Sequence, residues 1–220
     1  MIKIGLVDDH KLFRKSVAAL INTFDNMEVV LEAENGKQLL SALPSISLDI
    51  IVLDIQMPEM DGVQTCKMLR KKYPAVKVLI VSQLSNREMV LQMMELGAHG
   101  FFTKNTEPEQ LEKAILNLDS KGFYFDQELG AVIRDAMVWQ KNNITGMEHV
   151  FGLITDREME IIRLACREKS SGEIADTLNI TVRTVETHRK RIMEKTKTKN
   201  FIGVVLYALR NRLILLEELI

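Results

Sequence analysis

The chain has 220 residues, long for one compact domain and comfortable for two. Its 29 Lys and Arg nearly balance 30 Asp and Glu, so net charge alone announces neither a nucleic acid nor a membrane partner. Two cysteines, Cys66 and Cys166, stand far apart without CxxC or Cys/His spacing, which disfavours structural zinc and a disulfide framework and suits a reducing compartment. With no signal h-region and no membrane-length apolar span, the expectation is a soluble cytoplasmic protein.

Along the first half, short β-branched runs recur at Ile2–Val7, Val29–Ala33, Ile50–Leu53, Val76–Val81 and Gly100–Thr103. Amphipathic stretches separate them: Phe13, Val17, Leu20, Ile21 and Phe24 share one helical face, and Val63, Cys66, Leu69 and Tyr73 nearly do. Continuous apolar strands imply burial on both sheet faces, as in a parallel sheet. Five such units predict a doubly wound α/β domain, (βα)5, with ligands at the carboxyl ends of its strands.

Residues 121–150 read as a linker with one helical stretch, Leu129–Trp139, followed by a polar segment, Gln140–Glu148. The remainder contains no convincing strand. Thr155-Asp156-Arg157-Glu158 is a capping box before an apolar-periodic run, and Ser170-Ser171-Gly172-Glu173 starts a second helix. After a turn at Asn179-Ile180, Thr181 caps a third helix, and a fourth runs from about Ile202 to Leu213. The expected organisation is an α/β domain over 1–120, the linker, and an all-α four-helix domain over 151–220.

Three acids fall at strand ends: Asp8 and Asp9 after the first strand, Asp54 after the third. In a parallel sheet with right-handed crossovers these ends converge, and a carboxylate cluster suits a hard divalent cation, Mg²⁺ being the usual candidate. Ser82 and Lys104 follow the fourth and fifth strands at the same sheet edge. A carboxylate can attack a phosphoryl group once neighbouring positive charge is in place, lysine can neutralise the phosphoryl oxygens, and a serine hydroxyl can hydrogen-bond the product. Any single member reads as a helix cap or a solvated surface residue; the combination is what carries meaning.

Leu6-Val7-Asp8-Asp9-His10, Val52 through Gly62 around Asp54, Val81-Ser82 and Gly97 through Lys104 resemble, in order and spacing, the signatures of receiver domains. The resemblance implies Asp54 as phosphoacceptor and Asp8, Asp9, Asp54 and the Gln56 backbone carbonyl as metal ligands. It implies Lys104 as phosphoryl counter-ion and Ser82 and Phe101 as switch residues. The chain departs from the pattern at Gln83, where receivers usually carry a small residue. Gln56 and Leu84 occupy variable positions that can gate the hydrolytic water.

The third helix of the second half, Val182–Lys195, carries Arg183, Arg189, Lys190, Arg191 and Lys195. Val185 and Ile192 form its apolar side, leaving Thr187, His188 and Lys190 available for groove or phosphate contacts. The segments Ile154–Glu158, Glu173–Ala175, Leu178–Thr181, Thr184–His188 and Ile192–Lys195 resemble the LuxR-type helix-turn-helix, and the whole architecture is similar to NarL/FixJ-type response regulators. That likeness implies Glu186, Thr187 and Lys190 as base-reading and nearby backbone positions, supported by Thr184 and Arg189, with Arg183 among the basic contacts. Glu186 stands where Lys is frequent, so a different operator preference is expected, for instance acceptance of a cytosine amino group.

The resemblance further implies a sensor histidine kinase as phosphodonor and double-stranded DNA, as an inverted repeat, as the target. It also implies a homodimer through the last helix, where Val204, Val205, Ala208 and Leu209 form an apolar stripe. The expected function is transcription regulation controlled by phosphorylation of Asp54, not an enzyme beyond that autocatalysed phosphotransfer and hydrolysis. The alternative is a phosphorylation-independent DNA-binding regulator using the receiver as a dimerisation scaffold. A free-standing phosphatase fits poorly, because Asp54 is followed by Ile55-Gln56 rather than a second acid.

Overall fold

The computed structural model describes residues 1–82, 87–104, 107–124, 154–167, 169–211 and 213–214, with the side chains of Arg87, Glu88 and Arg210 left aside. The chain divides into two compact units, Met1–Asp126 and Gln127–Ile220. The expected linker helix at Leu129–Trp139, the segment Gln140–Glu148, Gln83 and Leu84 lie outside the described residues.

The first unit alternates strand and helix: β1 (Ile2–Val7), α1 (Lys11–Ile21), β2 (Met27–Ala33), α2 (Gly36–Ala42) and a 3₁₀ turn at Leu43–Ser45. Then follow β3 (Ile50–Asp54), α3 (Gly62–Lys72), β4 (Lys77–Ser82), α4 (Arg87–Leu96), β5 (Gly100–Thr103) and α5 (Pro108–Lys121). All strand pairs are parallel in the order β2-β1-β3-β4-β5, so the chain reverses direction across the sheet between β1 and β3. At such a reversal the connections after neighbouring strands leave on opposite sides and open a crevice at the carboxyl ends.

Every residue of β3 is buried, as its unbroken apolar run requires. One sheet face carries Ile4, Leu6, Ile50, Val52, Leu79, Val81 and Phe102, packed with Ala18 and Ile21 of α1 and Leu111, Ala114, Ile115 and Leu118 of α5. Because side chains alternate along a strand, Phe101 takes the opposite face from Phe102. Beneath the sheet end, the Val78 amide donates to His99 Nδ1 at 3.0 Å. Burial, aided by nearby Arg70 and Lys77, pushes the pKa of His99 down to about 3, so the ring stays a neutral acceptor that fastens β5 to β4.

The second unit is helical among its described residues: α6 (Asp156–Cys166), α7 (Ser171–Leu178), α8 (Val182–Thr196) and α9 (Phe201–Arg210). Each start has its own cap. Thr155 with Glu158 and Ser170 with Glu173 form capping boxes, while Thr181 and Asn200 accept from Thr184 and Gly203 amides. Asn179 closes α7 in the left-handed region at φ 50°, the turn that redirects the chain into α8. The α8 helix packs against α6, α7 and α9. No described helix is long and apolar enough to cross a membrane.

Candidate functional site

The acids converge as the strand ends predict. Asp8 directly follows β1 and is buried, Asp54 ends β3 and is buried, and Asp9 is partly exposed beside them. One ligand atom from each of Asp8, Asp9, His10 and Asp54 lies within 4.8 Å of all the others. Lys104, the residue after β5, places its Nζ 2.5 Å from Asp8 Oδ2 and 2.8 Å from Asp54 Oδ2. The same ammonium sits 4.5 Å from the centre of the Phe13 ring on α1. One cation thus serves two buried carboxylates at the mouth of the sheet.

Burial pushes the Asp54 carboxyl above its ordinary value, and the neighbouring Asp8 charge adds to this. The Lys104 ammonium and the Ile55 amide, which donates to Asp54 Oδ1 at 2.7 Å, pull against the shift without cancelling it. For Lys104 burial opposes the charge, but Asp54 and Asp8 outweigh it and hold the ammonium above its ordinary value. Asp9 Oδ1 is buried and accepts no hydrogen bond, with His10 Nδ1 2.9 Å from it.

Ser82 ends β4 and is buried, and its carbonyl accepts from the Lys104 amide at 3.0 Å. Phe101 is buried on β5, paired in register with Ile80. Gln56 is exposed, two residues past Asp54. Gly62 opens α3 against this loop, and its amide donates to the Ile55 carbonyl at 2.8 Å. A Cβ at position 62 would come within 2.3 Å of the Asp54 carbonyl oxygen, so only glycine permits this approach.

Sequence reasoning missed two pocket supports. Arg14 of α1 is buried; its Nη1 donates to the Asp8 carbonyl, and its Nη2 meets Glu34 at 3.0 Å. Phe13 is the other, through its contact with Lys104. Phe13 lies on the apolar face expected of α1, and Arg14 is buried with Ala18 and Ile21, but that pattern says nothing of which polar partner each residue meets.

In the second unit, α8 divides into two faces. Val185, Arg189, Ile192 and Thr196 are buried, at the spacing of one helical stripe. Arg183, Glu186, Thr187, Lys190 and Arg191 are exposed, and Thr184 is half-buried beside its cap Thr181. The expectation for Arg189 needs correction: it lies on the core stripe, 6% exposed, with its guanidinium 4.4 Å from the Phe201 ring centre and Nη1 2.7 Å from Ser171 Oγ. It therefore cannot serve as a surface phosphate contact.

The stripe assigned to dimerisation is corrected likewise. Val204, Val205, Ala208 and Leu209 are all buried, on a helix that packs against α6 and α8, so these side chains build this unit's own core. Glu158, the capping-box acid of α6, also accepts from Lys195 Nζ at 2.6 Å and ties α6 to α8. Burial works against its charge, but Lys195 and the Thr155 donors more than offset this and hold the carboxyl below its ordinary value.

Comparison with known proteins agrees with both halves. Residues 4–116 match the family described as response regulator receiver domain, and residues 153–208 match bacterial regulatory proteins of the luxR family. Response regulator protein VraR of Staphylococcus aureus (strain Mu3 / ATCC 700698) is 28% identical over 213 residues, covering 97% of this chain and 99% of that protein. A solved two-component response regulator of the LuxR family from Aurantimonas sp. SI85-9A1 superposes with a TM-score of 0.58 at 28% identity, covering 62% of this chain and 97% of that one. RcsB from Salmonella enterica serovar Typhimurium, solved bound to promoter rprA in the presence of phosphomimetic BeF3-, shares the fold with a TM-score of 0.57 at 21% identity, over 96% of this chain and 100% of that one. The chain belongs to the response regulators, a receiver domain followed by a LuxR-type DNA-binding domain that makes it a transcription regulator.

Proposed function

We propose that a sensor histidine kinase phosphorylates Asp54 and that this modification controls the binding of double-stranded DNA by α8. The observation that carries the reading is the Lys104 ammonium held against both Asp8 and Asp54 at the carboxyl edge of the sheet. The carboxylates of Asp8, Asp9 and Asp54, with the Gln56 carbonyl on the adjoining loop, make an all-oxygen donor set, and Asp9 Oδ1 accepts no hydrogen bond although His10 stands beside it. That chemistry fits Mg²⁺. When bound, Mg²⁺ supplies positive charge that relieves repulsion between the acids and an incoming phosphoryl group.

An Asp54 carboxylate oxygen forms the new bond to phosphorus while the bond to the donor nitrogen breaks and the imidazole leaves with a proton. Lys104 then shifts its ammonium from the Asp54 carboxylate to a phosphoryl oxygen, and the Ser82 hydroxyl donates to another. Drawing Ser82 and Lys104 inward favours one arrangement of the face that carries Phe101, a population shift between two states. A tenfold change in DNA affinity needs only about 1.4 kcal/mol of such coupling.

On DNA, Arg183 and Lys190 neutralise phosphates, while Glu186 and Thr187, supported by Thr184, face base edges. The active species is a homodimer on an inverted repeat. The receiver spans 1–120, the linker 121–150 and the DNA-binding domain 151–220, in a cytoplasmic protein. The test is intact mass after incubation with Mg²⁺ and a small phosphodonor. A gain of one phosphoryl group in the wild type and none in Asp54→Ala is expected; equal gain in both overturns Asp54 as acceptor.

A further inference from the structure

An acid on the DNA-facing side of a recognition helix is an electrostatic liability, because it faces phosphates that repel it. Glu186 is such an acid, and its side chain is 58% exposed on α8. Yet it is not left as a free charge. Ser171 Oγ, at the first residue of α7, donates to Glu186 Oε1, and Arg189 Nη1 donates in turn to Ser171 Oγ at 2.7 Å. The same Arg189 nitrogen lies 3.6 Å from Glu186 Oε1. The guanidinium is buried and is itself seated on Phe201, the first residue of α9, with its carbon 4.4 Å from the ring centre.

Two helices therefore meet at one carboxylate, and a third, α9, seats the guanidinium that faces it. Ser171 is not the cap of α7, which is Ser170, so its hydroxyl is committed to Glu186 and Arg189 rather than to helix initiation. We propose that Ser171 and Arg189 are positioning residues for Glu186. They cancel its charge and fix its rotamer, so that the carboxylate reads an amino group in the major groove, namely the N4 amino group of cytosine. This rests on the DNA-reading function proposed above.

The chemistry follows from the direction of the donors. Oε1 takes both the Ser171 hydroxyl and the Arg189 charge, which leaves the exposed end of the carboxylate as a pure acceptor. Among base pairs, an acceptor aimed at the major groove distinguishes exocyclic amino groups, and cytosine N4 is the usual partner of a carboxylate. A carboxylate that had to be ordered on binding would lose rotamer freedom; one already held loses little. Arg189 spends its charge inside the protein, so it adds no phosphate contact of its own.

The test selects binding sites from a randomised double-stranded DNA library with the full-length chain, as wild type, Glu186→Gln, Ser171→Ala, Ser171→Thr, Arg189→Met and Arg189→Lys, alongside the salt dependence of affinity. In the wild type, one position per half-site is cytosine. Glu186→Gln moves that position toward adenine, since an amide pairs with adenine N6 and N7. Ser171→Ala and Arg189→Met relax the cytosine preference by roughly threefold to tenfold at that position alone. Ser171→Thr restores it, and the slope of log affinity against log salt stays at the wild-type value in both relaxed variants.

If Arg189→Met does not fold, as circular dichroism will show, Ser171→Ala alone decides the matter. A wild type that selects no sequence overturns the DNA-reading function and this inference together. A wild-type motif that Glu186→Gln alters, but that Ser171→Ala leaves intact, overturns the positioning inference alone. A salt slope lowered by about one in Arg189→Met overturns it too, since that marks a lost phosphate contact.

Discussion

Lys104 Nζ lies 2.8 Å from Asp54 Oδ2, a contact between residues fifty positions apart that only a parallel sheet with both strand ends on one edge brings about. On the phosphorylation proposed above, the ammonium already stands at the acceptor before modification, shared with Asp8 at 2.5 Å. It need move only a short way to meet a phosphoryl oxygen.

Removing that charge should slow phosphorylation without abolishing it. Lys104→Met, incubated with a small phosphodonor and Mg²⁺, is expected to gain its phosphoryl group on the order of a hundredfold more slowly, as when a preorganised charge-stabilising group is lost. Time-resolved intact mass measures this. An unchanged rate would mean the ammonium plays no part in the transfer step.

The buried Asp54 carboxylate also affects stability. Its pKa in the folded receiver is raised, chiefly by burial, so the folded state binds the proton more tightly than the unfolded chain does. Stability therefore falls as pH rises through the window between the ordinary and the raised value, and the penalty is full above it. Asp54→Asn, which carries no charge, should raise the melting temperature of the receiver transition at neutral pH. The two proteins should converge below the ordinary carboxylate range, and pH-dependent calorimetry follows the difference.

Glu158 has the opposite sign. Its folded pKa is depressed by Lys195 and the Thr155 donors despite burial, so its contribution is present above the ordinary glutamate range and lost as pH falls through the depressed value. Glu158→Gln should cost the second unit about 1–2 kcal/mol at neutral pH, the scale of a lost cap and a charged hydrogen bond. Denaturant titrations at neutral and acidic pH should show that gap closing in acid.

Lys190 is exposed on the side of α8 away from its buried stripe, where Arg189 is not. Lys190→Ala should weaken DNA binding nearly equally across sequences and lower the salt slope by about one. Anisotropy titrations over a salt series measure both. A changed base preference with an unchanged slope would instead make Lys190 a base reader.

What could be read from the sequence was what depends on neighbours along the chain. The bounds of β1 and β5 follow from apolar runs ended by Asp8 and Lys104, and the caps Thr155, Ser170 and Thr181 act within their own helix turn. The acid cluster was legible because parallel topology sends every strand end to the same edge. Arg189 was misjudged because a basic residue on a basic helix looks solvated. Its burial depends on Ser171 and Phe201, which two other helices supply. The dimer stripe failed for a related reason: an apolar face on a terminal helix does not say whether it covers its own bundle or a second copy. Arg14 and Phe13 escaped notice because their partners, Asp8 and Lys104, stand just past strand ends outside their own helix.

The glycine that opens α3 gives the receiver a tolerance map. With 2.3 Å between a would-be Cβ and the Asp54 carbonyl oxygen, any other residue at position 62 must push the acceptor strand or the helix out of place. Gln56, by contrast, is exposed two residues past Asp54. Substitution in this loop is therefore steered outward: the rim at Gln56 can change, while the seat of Asp54 stays fixed by one missing methyl group.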